Sequence, residues 1–127
     1  ANLGIAFQLT NVLRDISEDL DKDRIYLPAD DLERFGVSIP SLVAKKPDGR
    51  FEEFLTFQID RARSYYDKSS SLKERVEPES RACLEGMTNI YRTLLDKVAS
   101  MGPKVLHKRA SLSLAQKLKL AGQLLLK

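Results

Sequence analysis

The sequence is poor in the residues that carry out most covalent chemistry. Its 127 residues hold a single cysteine, Cys83, and a single histidine, His107. One cysteine excludes an internal disulfide and a zinc–cysteine cluster, and is compatible with a reducing, cytoplasmic setting. Cys83 falls in a helical seam, where it reads as buried filler. His107 stands in a basic turn, which gives no case for a general base. No run approaches the ~18 apolar residues that a membrane-crossing helix needs. The formal charge of +3, from 21 basic and 18 acidic residues, is too mild to point to nucleic acid. The basic excess is concentrated late, from Lys104 to Lys127. Strand-type alternation and internal repeats are also missing.

What is present is an all-α pattern. Composition, 43% hydrophobic and 31% charged, is that of an ordered globular chain. Residues 2–20 predict a first helix, with Ile5, Leu9, Val12, Leu13, Ile16 and Leu20 as its apolar stripe. Asp30 reads as an acidic cap of a two-turn helix that Gly36 ends. Ser38 caps a further short helix with Pro40 in its first turn, and Lys46-Pro47-Asp48-Gly49 is a turn. Apolar steps of three and four from Phe51 to Val76 predict a long helix, bent near Ser69-Ser70-Ser71 and stopped by Pro78. The next helix, Glu79 to Met101, has the seam Cys83, Met87, Ile90, Leu94 and Val98, with Tyr91 and Leu95 beside it. Gly102-Pro103 ends it. Lys104 to Arg109 is an irregular basic turn, and Ser113 to Leu126 a last helix rich in Leu and Lys.

The chemistry concentrates in the first helix. Asn11, Asp15 and Asp19 stand four residues apart, and each step of four turns a helix by roughly 40°. Their oxygens therefore fan over one arc, which also contains Gln8. Two carboxylates and an amide on one face suit a hard cation such as Mg²⁺, which is held by one or two carboxylates together with substrate phosphates. The plain alternative is a solvated acidic edge. Arg14 and Arg24 flank the carboxylates. A guanidinium fork fits phosphate oxygens, or it pairs with Glu18 or Asp21. Glu18 points away from Asp19 and is placed to pair with Arg14 four residues earlier. Leu3, Ala6 and Phe7 lie off the apolar stripe and either line an apolar channel or pack on another helix.

The stretch FQLTNVLRDISEDLDKDRIYLPADDLERFGVS, Phe7 to Ser38, resembles the second aspartate-rich region of squalene and phytoene synthases. A Q-L-T-N-x-x-R-D-x-x-E-D core is followed by D-R-I-Y-L-P. The resemblance continues more weakly through Tyr91-Arg92-x-Leu94-Leu95 and Arg109-Ala110-Ser111.

It implies an isoprenoid-synthase-type helical bundle with a central cavity. It also implies Mg²⁺-dependent head-to-head joining of two farnesyl or geranylgeranyl diphosphates through a cyclopropylcarbinyl diphosphate. Mn²⁺ is an alternative metal, and NADPH enters only if the product is squalene. On this resemblance Asn11, Asp15 and Asp19 are metal ligands, and Asp15, Asp19 and Tyr91 are catalytic. Gln8, Arg14, Arg24 and Arg109 meet the diphosphate, and Tyr26 edges the pocket or staples its loop.

Family members are longer and carry a first aspartate-rich motif upstream. Residues 1–127 are therefore expected to be the C-terminal half of one prenyl-synthase domain, inactive without the N-terminal half. The Lys/Leu tail either closes the bundle or gives a cytoplasmic enzyme a peripheral membrane contact. A different class of reading is a non-catalytic helical partner in a terpenoid-synthesis complex. A head-to-tail prenyl transferase or terpene cyclase is disfavoured by the D-R-I-Y-L-P run.

Overall fold

Helix follows helix along the chain, and among the described residues there is no strand. The computed structural model describes residues 2–69, 78–112 and 116. The elements are α1 (Asn2–Arg14), α2 (Ile16–Asp21), α3 (Ala29–Arg34), α4 (Ile39–Val43), α5 (Phe51–Lys68) and α6 (Pro78–Met101), then a 3₁₀ turn at Gly102–Leu106. The expected last helix, Ser113 to Leu126, lies outside the described residues apart from position 116, as does the Ser70–Val76 end of the expected long one. Of the latter, α5 closes at Lys68 with Ser69 as its cap.

The short helices stop for a common local reason. In α3 the Val37 N–H reaches the Leu32 carbonyl at 2.9 Å and the Gly36 N–H reaches Glu33, with Gly36 left-handed at φ +69°. The same pair of bonds ends α2 around Asp23 (φ +56°) and α4 around Lys45 (φ +58°). This satisfies the last carbonyls of each helix and turns the chain sharply. The expected Ser38 cap is present, accepting from the Ser41 N–H at 3.2 Å. The expected Asp30 cap is not: Pro28 stands at the N-cap of α3 without a side-chain bond. Asp31 instead faces inward, where it accepts from Gln58 Nε2 at 2.8 Å and pairs with Arg61 at 2.9 Å. That network lets Gln58 be 1% exposed inside the core.

α1 lies against α5 and α6, and the 3₁₀ turn lies against α2. The core runs along α5 through Phe51, Phe54, Leu55, Ile59, Ala62 and Tyr66, as the apolar spacing predicts. Two other faces differ from expectation. In α1 the buried line is Leu3, Ala6, Thr10, Leu13 and Ile16, while Ile5 is 43% exposed. Thr10 is what hides this line in the sequence. Its hydroxyl donates to the Ala6 carbonyl at 2.8 Å and shares a 2.7 Å bond with the Tyr66 hydroxyl, so a polar residue sits at the centre of the core face. In α6 the buried residues are Thr88, Leu94, Leu95 and Val98, with Leu84 and Tyr91 half-buried. Cys83 is exposed and not filler, and Met87 is 45% exposed. The seam is rotated by about one position because α6 has apolar residues on two adjoining stripes.

Candidate active site

Turning α1 so that Leu3, Ala6, Thr10 and Leu13 face α5 and α6 leaves the opposite arc to Gln8, Asn11, Asp15 and Asp19. The helix does not run straight through this arc. It breaks at Asp15 (φ −99°, ψ 11°), so the expected single helix is α1 and α2 meeting at that residue. The Asp15 N–H still bonds the Asn11 carbonyl at 3.0 Å, and the Asp19 N–H the Asp15 carbonyl at 2.8 Å. Helical phase is therefore carried across the break, and the four-residue spacing keeps the meaning it has in a helix.

Asp15 is the focus of the site. Arg14 grips it with a fork, Nε to Oδ1 at 2.7 Å and a terminal nitrogen to Oδ2 at 2.9 Å. Arg109, from the chain beyond α6, donates its Nε to the same Oδ1 at 3.1 Å and reaches Glu18 at 3.5 Å. Partial burial works to raise the Asp15 pKa, but the two guanidinium groups outweigh it and hold the carboxyl below its ordinary value. Arg14 is pushed the other way, first by its bond to Asp15, against burial, with smaller help from Tyr91. Arg14, Asp15, Glu18, Tyr91 and Arg109 thus form one charged cluster drawn from three distant parts of the chain.

Glu18 pairs with Arg109 and not with Arg14, because the Arg14 fork is already closed on its neighbour. Asp21 pairs with Lys45 at 2.9 Å and not with Arg24. Tyr91 is held by aromatic packing: Phe7 lies 4.8 Å from its ring and 6.0 Å from that of Tyr66. Phe7 therefore stands beside the site, half-buried, whereas Leu3 and Ala6 are core residues.

The remaining residues are not gathered as tightly. Gln8 is exposed, a turn before the cluster. Asp19 and Arg24 line a cleft of about 10 Å³ with Val12, Ile16, Tyr26 and others, room for one water. Asp19 has no ion pair among the described residues, and Tyr26 is 57% exposed at the cleft edge. The Asn11 Oδ1 is buried with no hydrogen-bond partner.

An orphaned amide oxygen one helical turn before the first of two carboxylates is chemically suited to a hard cation. Among the described residues no three His, Cys, Asp or Glu side chains converge as a ready-made cage. The donor set therefore fits a cation held jointly with a phosphate ligand, with Asn11, Asp15 and Asp19 as the protein's oxygens. Sequence spacing could not have found the Arg109–Asp15 pair, which spans 94 positions. Nor could it have found the Thr10–Tyr66 anchor beneath the site.

Residues 1–116 match the family model for squalene/phytoene synthase. The phytoene synthase of Mycobacterium tuberculosis is 39% identical over 94% of this chain and 40% of its own length. The 15-cis-phytoene synthase of Synechocystis is 36% identical over 91% of this chain and 34% of its own. A crystal structure of a dehydrosqualene synthase in complex with ligand superimposes with a TM-score of 0.83 at 29% identity, over 97% of this chain and 44% of that one. The chain thus spans less than half the length of each of these relatives. Its helices are those of the isoprenoid-synthase bundle seen in that enzyme, and this chain belongs to the squalene/phytoene synthase family.

Proposed function

We propose that these residues form the second half of the active site of a phytoene- or squalene-type prenyltransferase. That enzyme joins two prenyl diphosphates head to head through a cyclopropylcarbinyl diphosphate in terpenoid or carotenoid biosynthesis. The observation that carries the reading is the α1–α2 face itself. Asp15 lies against Arg14 and Arg109, with the unpartnered Asn11 amide oxygen four residues before it and Asp19 four residues after it, on the side of the helix that the core does not use.

Mg²⁺, or Mn²⁺ in its place, would be held by Asn11, Asp15 and Asp19, and when bound it supplies the positive charge that lets diphosphate leave. The chain's own residues supply the rest. Arg14 and Arg109 carry fixed positive charge to the same spot, and their present partner, Asp15, keeps both aimed there until phosphate oxygens arrive. Gln8 and Arg24 extend the donor set along the helix. Tyr91, braced by Phe7, presents its hydroxyl beside Arg14. Phe7 also begins an apolar wall, which a carbocation needs because water would quench it. NADPH has a role only if the product is squalene.

The catalytic unit in this reading comprises residues 1–127 together with an N-terminal half carrying the first aspartate-rich motif, in a cytoplasmic enzyme. The product assay tests it. The complete enzyme is incubated with Mg²⁺ and, separately, farnesyl and geranylgeranyl diphosphate, with and without NADPH, and products are identified by mass spectrometry. A forty-carbon triene from the longer substrate marks a phytoene synthase. A thirty-carbon hydrocarbon or its cyclopropyl precursor marks the squalene branch. No product from either, with diphosphate binding unchanged in Asp15→Ala and Asp19→Ala, overturns the reading and leaves a non-catalytic partner. Residues 1–127 alone are expected to give no turnover.

A further inference from the structure

The basic segment that follows α6 does more than deliver Arg109. Val105 (1% exposed), Leu106 (0%) and Ala110 (1%) pin it to the core, so the polar residues between them are turned outward. Lys104, His107, Lys108 and Arg109 then ring an open pocket of about 320 Å³, which Lys97 and Met101 of α6 complete. Among the described residues no acidic side chain lines it.

Two of its cations are tied in place. Lys97 Nζ donates to the Ser111 carbonyl at 2.6 Å, and Arg109 is held sideways by Asp15 and Glu18. Lys104, His107 and Lys108 are exposed and have no ion pair among the described residues. The acids nearest in sequence are already engaged elsewhere: Asp96 binds Arg63 at 2.8 Å. Among the described residues the pocket therefore has two tethered cations, a thioether at Met101 and three basic side chains without an ion pair.

A free metal is repelled by such a set of charges, and a plain inorganic anion makes no use of the thioether. A phosphate joined to a greasy chain uses both, with the phosphate on Lys104 and Lys108 and the first carbons of the chain on Met101. We infer that this pocket is a second, non-catalytic binding site for the phosphate head of an amphiphile. It shares Arg109 with the Asp15 cluster. The amphiphile is either a membrane lipid or a prenyl phosphate. The prenyl source rests on the function proposed above, and the lipid source does not.

Two arms of one experiment separate them, both in the complete enzyme. In the first, co-sedimentation is measured with vesicles of phosphatidylcholine alone and of phosphatidylcholine with phosphatidylglycerol. In the second, ¹³C-methyl methionine NMR follows the Met101 methyl, assigned with Met101→Leu, during titration with farnesyl monophosphate or inorganic phosphate. Binding in either arm should fall at least about tenfold in the variant carrying Lys104→Glu and Lys108→Glu. The paired Lys→Arg variant should restore it, and both variants should melt as the parent does.

Charge-sensitive binding to phosphatidylglycerol vesicles alone assigns a lipid head. A charge-sensitive Met101 shift with farnesyl monophosphate, much larger than with inorganic phosphate, assigns a prenyl phosphate. If neither arm binds, or if binding ignores the charge reversal, the inference is wrong. Because both readouts report binding at Lys104, Lys108 and Met101, an enzyme that fails the product assay can still pass this one.

Discussion

The two faces of α1 come from the same helical turns and are treated in opposite ways. On the inner face every polar atom is answered within the chain. Thr10 is completely buried, yet its hydroxyl is bonded to both Ala6 and Tyr66. On the outer face the Asn11 amide oxygen is buried and unanswered, Asp19 has no ion pair among the described residues, and Asp15 is answered twice over by arginines. Folding alone gives no reason to bury an acceptor without a donor, since that costs about 1–3 kcal/mol. The inner face is finished by folding. In the proposed function the outer face is finished by what it binds.

Substitutions on the two faces should therefore separate cleanly. The largest loss of stability belongs to the inner face. Leu13, 2% exposed, cut back to alanine should cost about 2–5 kcal/mol in urea melts. The largest loss of activity belongs to the outer face. Asp19→Ala should lower prenyl-transfer rate in the complete enzyme by roughly 10²–10³-fold, with stability changed by less than about 0.5 kcal/mol.

Thr10→Val tests the anchor. It keeps the shape and removes the partner of the buried Tyr66 hydroxyl, so it should cost about 1–3 kcal/mol. Activity should follow only as far as Tyr66 and Phe7 loosen Tyr91.

The same anchor has a pH dependence. Burial lifts Tyr66 to about 12, against the Thr10 hydrogen bond, from an ordinary 10.0. The native state thus holds its proton more tightly than the unfolded state does. That contribution is complete below pH 10 and is lost as pH rises from 10 towards 12. Tyr66→Phe should flatten this part of the stability–pH curve, read by urea melts across that range.

The contrast also explains what the sequence made legible. α5, α6 and the ends at Gly36 and Met101 follow from apolar period and from the turn residues that close them. The Q-L-T-N-x-x-R-D-x-x-E-D string exposed the outer face because its side chains share one helix, four residues apart. The inner face is not legible in the same way. The apolar period puts Ile5 in the core and leaves Leu3 and Ala6 off the stripe, whereas Ile5 is exposed and Leu3 and Ala6 are buried. A buried threonine looks like a surface residue until its partner, 56 positions away, is known. Cys83 failed for a related reason, since two apolar stripes on α6 compete and only packing chooses between them. The bonds from Arg109 to Asp15 and from Gln58 to Asp31 lie beyond any local pattern.

One measurement tests the division of labour most directly: thermal melting and prenyl-transfer rate on a single preparation of Asp19→Asn in the complete enzyme. The substitution keeps size and removes one charge from the outer face. The account predicts a rate at least about a hundredfold lower with an unchanged melting curve. A variant that turns over at the parent rate would show that Asp19 is not needed by the ligand, and one that melts as early as Leu13→Ala would show that it serves the fold; either contradicts the account.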